Sequence, residues 1–275
     1  RSKTTVGQIT NKSKRMNFEL KKHVIGLVKA GSHAYGISTP ESDLDIKGIA
    51  IPPVSCILGM EIFESSDADS EMEKLKSLMD TATLDKTKNG LEGVVFELRK
   101  FILLAERCNA NVLDLLFGRE EDIIFQNKFF KKLRDNRHLF ITANAHNSFA
   151  GYGAGQLKKL TRQKETPNPN SVRYPIEQKY GWDTKFGSHA IRLLRMCKEI
   201  LLEGEVKIFR PDADELLAIR HGAWTYDELL DYSNSMLKEI DDVMANKKFV
   251  IPAYPDRQKI NKLSEEILRE WLLAN

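Results

Sequence analysis

Cysteine is scarce in this 275-residue chain: Cys56, Cys108 and Cys197 are the three, with no CxxC spacing and no way for all of them to pair. That usage argues against a disulfide framework and a structural zinc site, and it fits a reducing cytoplasm. Long apolar runs are missing as well. Stretches such as Val94 to Phe96 and Phe101 to Ala105 fall far short of the about 20 residues that span a bilayer, and no signal-peptide core follows the N-terminus. A cytoplasmic protein is expected, with membrane and secreted readings set aside. An excess of one charge is also absent. Forty-two Lys plus Arg against 39 Asp plus Glu leave a net charge of only +3, so any basic surface is local. Between Glu61 and Glu73 the reverse holds: six carboxylates occur with no Lys or Arg. That stretch reads as a solvated loop without assigned chemistry.

What is present is enough for a core. A hydrophobic fraction of 41% over 275 residues supports one large domain or two smaller ones. Residues 1–15 are polar, without apolar period, and read as a loose tail; Met16 stands just before the first patterned segment. Val24 to Val28 is a β-branched run stopped by Ala30-Gly31-Ser32, as in a buried strand feeding a glycine turn. Asp43 to Ile51 alternates at period two and ends at Pro52-Pro53, a second strand. After the Asn89-Gly90 turn signal, Gly93 to Leu98 reads as a third strand that runs into a helix near Lys100 to Arg107. Beyond Gly118 the apolar spacing turns helical, with candidate helices at Asn127–Arg137, Ser148–Lys164, Thr184–Leu202, Tyr226–Asn246 and Asp256–Leu273. No internal repeat is visible.

The chemistry concentrates between Gly31 and Asp45. A strand ending in Gly-Ser and turning toward a helix offers backbone N–H groups and a hydroxyl to a phosphate chain. Asp43 and Asp45, two apart on a strand, leave one face roughly 6.6 to 6.8 Å apart along the backbone. Such a pair shares hard cations, and Mg²⁺ is typically held by one or two carboxylates plus substrate phosphates. A third carboxylate would complete a two-metal site. Glu92 and Glu97 are the candidates. Period two puts Glu92 on one face of the third strand with Val94 and Phe96 and Glu97 on the other, so only one of them can join the pair unless a bulge intervenes.

The order of strand, Gly-Ser, a ten-residue connection and Asp-x-Asp resembles the signature of the DNA polymerase beta nucleotidyltransferase superfamily. Gly31-Ser32-His33-Ala34-Tyr35-Gly36, Ser42-Asp43-Leu44-Asp45-Ile46-Lys47-Gly48, Phe96-Glu97-Leu98-Arg99-Lys100-Phe101 and Asn109 to Phe117 are more specifically similar to the nucleotidyltransferases associated with RNA-repair ligases. Segments at Ser148-Phe149-Ala150-Gly151-Tyr152, Tyr180 to Lys185, Arg192-Leu193-Leu194-Arg195 and Ala218 to Trp224 extend the likeness over about residues 22–272. The resemblance implies an α+β fold: a polymerase-beta-like catalytic half at 16–125, a mixed sheet with flanking helices, and an α-helical half at 126–275. It also implies transfer of an NMP from an NTP to an acceptor hydroxyl with release of pyrophosphate. Asp43, Asp45 and Glu92 would hold Mg²⁺ or Mn²⁺, and Gly31, Ser32 and His33 would meet the nucleotide.

Two further features bear on partners. Lys185, His189, Arg192 and Arg195 recur at spacings of four, three and three and form a basic stripe on one helix; Lys185, Arg192 and Arg195 are candidate phosphate ligands. From Gln156 to Lys185, seven basic residues face three acidic ones, with Tyr174, Tyr180 and Trp182 interleaved. This segment suits RNA or a tRNA end, or else is a solvated surface. Transfer to a protein or small molecule, and an NTP- or RNA-binding module with a decayed catalytic site, remain as alternatives. The NTP selected and the oligomeric state stay open.

Overall fold

The computed structural model of the chain describes residues 18–274; the expected tail at 1–15 and Met16 lie outside them. The described residues form an α+β fold around a five-stranded mixed sheet of order β3-β4-β2-β1-β5. Its strands are β1 (Val24–Ala30), β2 (Leu44–Ala50), β3 (Ser65–Ser66), β4 (Leu91–Glu97) and β5 (Ile123–Gln126). The first half interleaves α1 (Gly31–Tyr35), α2 (Val54–Ile57), α3 (Asp69–Leu75), α4 (Thr81–Asp85), α5 (Leu98–Glu106) and α6 (Asp114–Phe117). The second is helical, with α7 (Lys128–Asp135), α8 (Gly151–Glu165), α9 (Tyr174–Tyr180), α10 (Thr184–Glu203), α11 (Ala213–Arg220), α12 (Tyr226–Ala245) and α13 (Arg257–Ala274).

β1 is buried along nearly its whole length because apolar layers cover both sheet faces. Leu27, Leu44, Ile46 and Met72 belong to one layer, while Ile25, Val28 and Ile49 join the other. A buried strand of this kind reads as a continuous β-branched run rather than an alternation. The second layer continues through Phe101 and Leu116 to Leu194 and Ile200 of α10. The division expected at 125/126 falls inside β5, which pairs with β1, and this buried layer joins residues from both sides of it.

Side chains set several of the helix ends, among them three in the helical half. Asn127 caps α7 by accepting from Phe129 and Phe130 N–H, and Asp183 caps α10 by accepting from Lys185 and Phe186 N–H. Thr225 and Glu228 form a capping box on α12, the arrangement that satisfies two orphan donors reciprocally. The acidic stretch expected to be a solvated loop contains β3 and α3 instead. Met72 and Leu75, three apart, bury against the sheet, so the local charge did not prevent one amphipathic turn from docking.

Two pairings position the site. β1 and β2 run antiparallel with Ala30 opposite Asp45; β2 and β4 run parallel with Asp45 beside Glu92. Gly31, the first residue after β1, has φ +58°, and a Cβ there would lie 1.8 Å from the Asp45 carboxylate. Gly31→Ala is expected to cost about 1–2 kcal/mol from its left-handed backbone, plus the collision. Because Asp45→Ala removes the colliding group, the double variant should be clearly less destabilised than the sum of the singles in denaturant unfolding; strict additivity would show that the contact does not form.

Candidate active site

The acidic centre is built by strand register. Asp43 lies one residue before β2 and Asp45 within it, and the loops that carry them in are tied together. The Asn89 side-chain amide donates to Pro40 O at 2.6 Å, and Leu44 N–H donates to Gly90 O at 3.0 Å. The connection before β2 is braced by Thr39 N–H donating to Ser42 Oγ at 2.9 Å. As a result Asp43, Asp45 and Glu92 offer carboxylate oxygens that all lie within 4.8 Å of one another. Glu97 goes elsewhere: it is buried, accepts from Lys100 N–H at 3.0 Å as the cap of α5, and pairs with Arg99 Nε at 2.8 Å.

Crowding has an electrostatic consequence. Burial, followed by the charges of Asp43 and Glu92, pushes the Asp45 carboxyl up to about 6. A group whose proton affinity rises through like charges is one that a hard cation would relieve.

Across from the carboxylates stands the N-terminal half of α10. A cavity of about 380 Å³ is lined by Gly31, Ser32, Asp43 and Asp45 on the sheet side and by Lys185, Arg192, Arg173 and Arg220 on the helical side, with Ile37 and Phe186 as apolar walls. Lys185 is held below the usual lysine range by burial and by Arg173 and Arg220. Burial, then Arg173, also lowers Arg220. Arg173 keeps only a 3.9 Å approach to Asp183. Repelling cations with so little carboxylate compensation form a cradle for an anion.

A second cavity, of about 560 Å³, opens on the other side of Asp45, lined among others by Lys47, Glu92, Asp67, Asp69 and Asn111. Gly31, Tyr35, Asp45, His189 and Arg192 line both cavities and form the wall between them. Burial, then Arg192 and Lys47, pushes His189 down to about 3, so this imidazole is neutral and packs edge-on against Tyr152.

The basic stripe divides. Lys185, His189 and Arg192 face the cavities, but Arg195 turns away to Asp212 and Glu215, both at 2.7 Å, and to Tyr232 Oη at 2.9 Å. At about 100° per residue, Arg195 stands roughly 80° from Lys185 and about 120° from His189; spacings of four, three and three drift off one face. His33 is likewise not among the residues lining either cavity. It is half-buried with Nε2 unpartnered, and burial, then Lys86, lowers its proton affinity. In the basic segment, Lys158, Lys159 and Arg162 are exposed on α8, while Trp182 is buried against Gly187 and beside Tyr226. Trp182 therefore offers no free stacking face.

Arg220 was not among the expected site residues, because it ends a short helix 35 residues after Lys185 and nothing local marks it. Lys47 was legible: it follows Asp45 by two on the same strand, and period two puts it on the same face.

The site thus joins acidic residues on a mixed sheet, a Gly-Ser turn against them and a cationic helical wall. Residues 6–265 match the model of the RNA repair pathway DNA polymerase beta family, RlaP, and the chain belongs to that family. It is also 32% identical over 131 residues to a 38.9 kDa protein of the nrdC–mobD intergenic region of Enterobacteria phage T4, a match covering 47% of this chain and 36% of the phage protein. The chain thus spans about a third of that relative's length. A nucleotidyltransferase-like protein from Exiguobacterium sibiricum aligns over 82% of this chain and 70% of its own, with 12% identity and a TM-score of 0.28. No helix among the described residues is long and apolar enough to cross a membrane.

The raised Asp45 makes a signed prediction. Between the ordinary carboxylate range and about pH 6 the folded state keeps a proton that the unfolded state releases, so metal-free protein loses stability as pH rises through that window. Thermal unfolding in chelator from pH 4 to 8 should show Asp45→Asn with a flatter profile and a higher melting temperature above pH 6. Equal slopes for both proteins would place the titration elsewhere.

Proposed function

We propose that this chain is a metal-dependent nucleotidyltransferase of the cytoplasm that moves an NMP from an NTP to a hydroxyl at an RNA or tRNA end. The observation that carries this reading is the carboxylate triad set between two cavities, one of them cationic. The triad fits a hard divalent cation: three oxygen donors lie within 4.8 Å, and Asp45 is raised by burial and then by the charges of Asp43 and Glu92, which a cation would offset. Mg²⁺ or Mn²⁺ held by Asp43, Asp45 and Glu92 would lower the pKa of the attacking hydroxyl and neutralise charge building on the phosphates.

The chain's own residues do the rest. Lys185, Arg173 and Arg220 neutralise the triphosphate in the first cavity, where Ser32 adds a hydroxyl near the phosphates. Ile37 and Phe186 supply apolar surface for the nucleoside. The second cavity, on the far side of Asp45, admits the acceptor, so the hydroxyl meets the α-phosphorus opposite the departing pyrophosphate. Support for RNA as acceptor comes from the family's RNA repair description and from exposed Lys158, Lys159 and Arg162, which suit phosphate contacts.

Transfer of label from each α-³²P-NTP to tRNA, short RNA, DNA and protein tests the reading. Wild type should label RNA or tRNA, and Asp45→Ala should lower the rate by about 10³-fold or more by removing a cation ligand. Replacing Lys158, Lys159 and Arg162 together by Ala should depress labelling of RNA and spare a protein acceptor. Metal-dependent NTP binding with no labelled acceptor would leave a binding module in place of a transferase.

A further inference from the structure

Arg192 sits where none of the other cavity cations sits, in the wall between the two cavities that Asp45 also lines. It is only 6% exposed, yet no carboxylate answers its charge among the described residues. Its one hydrogen bond there runs from Nη1 to the Met196 sulfur at 3.3 Å. Burying an unmatched guanidinium is costly, so the group is placed for an anion that the folded chain itself does not supply.

The surroundings aim it. The guanidinium stacks 3.6 Å over the Tyr35 ring. Tyr35 Oη donates to Asp114 Oδ2 at 3.4 Å, and that carboxylate, almost wholly buried, takes Lys47 Nζ at 2.6 Å and Leu115 N–H at 3.0 Å. Lys47 also donates to Asn111 O at 2.6 Å. Asp114 is therefore already matched, and the Lys47 ammonium repels Arg192. Folding back offers Arg192 nothing, and its guanidinium, stacked on Tyr35, lines both cavities.

We propose that Arg192 is a catalytic residue that binds a non-bridging oxygen of the transferring α-phosphoryl group, and that Tyr35, Asp114 and Lys47 are the residues positioning it. This rests on the proposed function. In that reaction the acceptor oxygen forms a bond to the α-phosphorus, and the bond from that phosphorus to pyrophosphate breaks. Pyrophosphate leaves with the electron pair, and the hydroxyl proton passes to solvent. Negative charge on the α-phosphoryl oxygens is shared between the two cavities at that moment, and a preorganised guanidinium in the dividing wall stabilises it more than it stabilises the bound NTP.

The test compares wild type with Arg192→Gln, Arg192→Lys, Tyr35→Phe, Tyr35→Leu and Lys185→Ala, each checked for native circular dichroism. Arg192→Gln should lower kcat about 10²- to 10³-fold with the NTP KM within about threefold, whereas Lys185→Ala should act mainly on KM. Arg192→Lys should recover little, since an ammonium lacks the planar fork. Tyr35→Leu should lower kcat about tenfold, and Tyr35→Phe, which keeps the stacking ring but loses the hydrogen bond to Asp114, should lower it by a smaller factor.

Two readouts go beyond turnover numbers. Equilibrium binding of an α,β-methylene NTP should survive Arg192→Gln within about threefold. Wild type should discriminate between the two α-thio-NTP diastereomers, and Arg192→Gln should lose part of that discrimination. A raised KM with kcat intact, or an unchanged thio preference, overturns the assignment. Wild-type protein inactive toward every acceptor sinks the proposed function and this assignment together, whereas an Arg192→Gln protein that turns over like wild type sinks this assignment alone.

Discussion

The parallel register that sets Asp45 beside Glu92 is the constraint on which the rest of the molecule depends. Like charges directly across a strand pair oppose the pairing, so the sheet holds this register through its apolar residues. Leu44 and Ile46 bury on one side and Ile49 on the other, and a slip by one residue would turn every one of them to the wrong face. The same register leaves no room for a side chain at Gly31, whose position the antiparallel partner strand fixes. Carboxylate spacing, glycine turn and apolar layers are thus one solution rather than three.

Charge is then segregated by architecture. The sheet brings carboxylates to its edge of the cleft, and helices α9, α10 and α11 bring Arg173, Lys185, Arg192 and Arg220 to the other. Elsewhere the protein treats buried arginine differently. Arg210, fully buried, is matched by Glu199 and Asp212, and Arg195 by Asp212 and Glu215. These matched pairs fix how α10 and α11 sit together, and the unmatched cations nearby point into the cleft. Breaking a buried pair is strongly destabilising, so the matched arginines hold the scaffold together, while the unmatched ones line the cavity.

The legible part of the fold was the part whose signals are local. The β-branched run at Val24 to Val28 and the alternation from Asp43 gave strands within a residue or two of β1 and β2, and the long 3.6-period segments gave α8, α10, α12 and α13. β3 has two residues and β5 four; each exists because a neighbour offers an unpaired edge, which no window of sequence shows. The acidic stretch reads as loop by charge, yet Met72 finds Gly93 beneath it and α3 docks.

For the candidate site, sequence by itself determined the chemistry available: Gly-Ser after a strand, Asp43 and Asp45 two apart, and Lys185 with Arg192 on one helical stripe. Those rest on periods of two and 3.6 that the backbone imposes wherever a strand or helix forms. Tertiary structure decided which glutamate joins the pair, because a parallel partner strand selects Glu92 and a helix cap claims Glu97. It also decided that Arg195 and His33 leave the site and that Arg220 and Tyr35 enter it. Such choices depend on contacts between residues tens of positions apart, whose balance of burial against pairing is settled only when the helices close over the sheet.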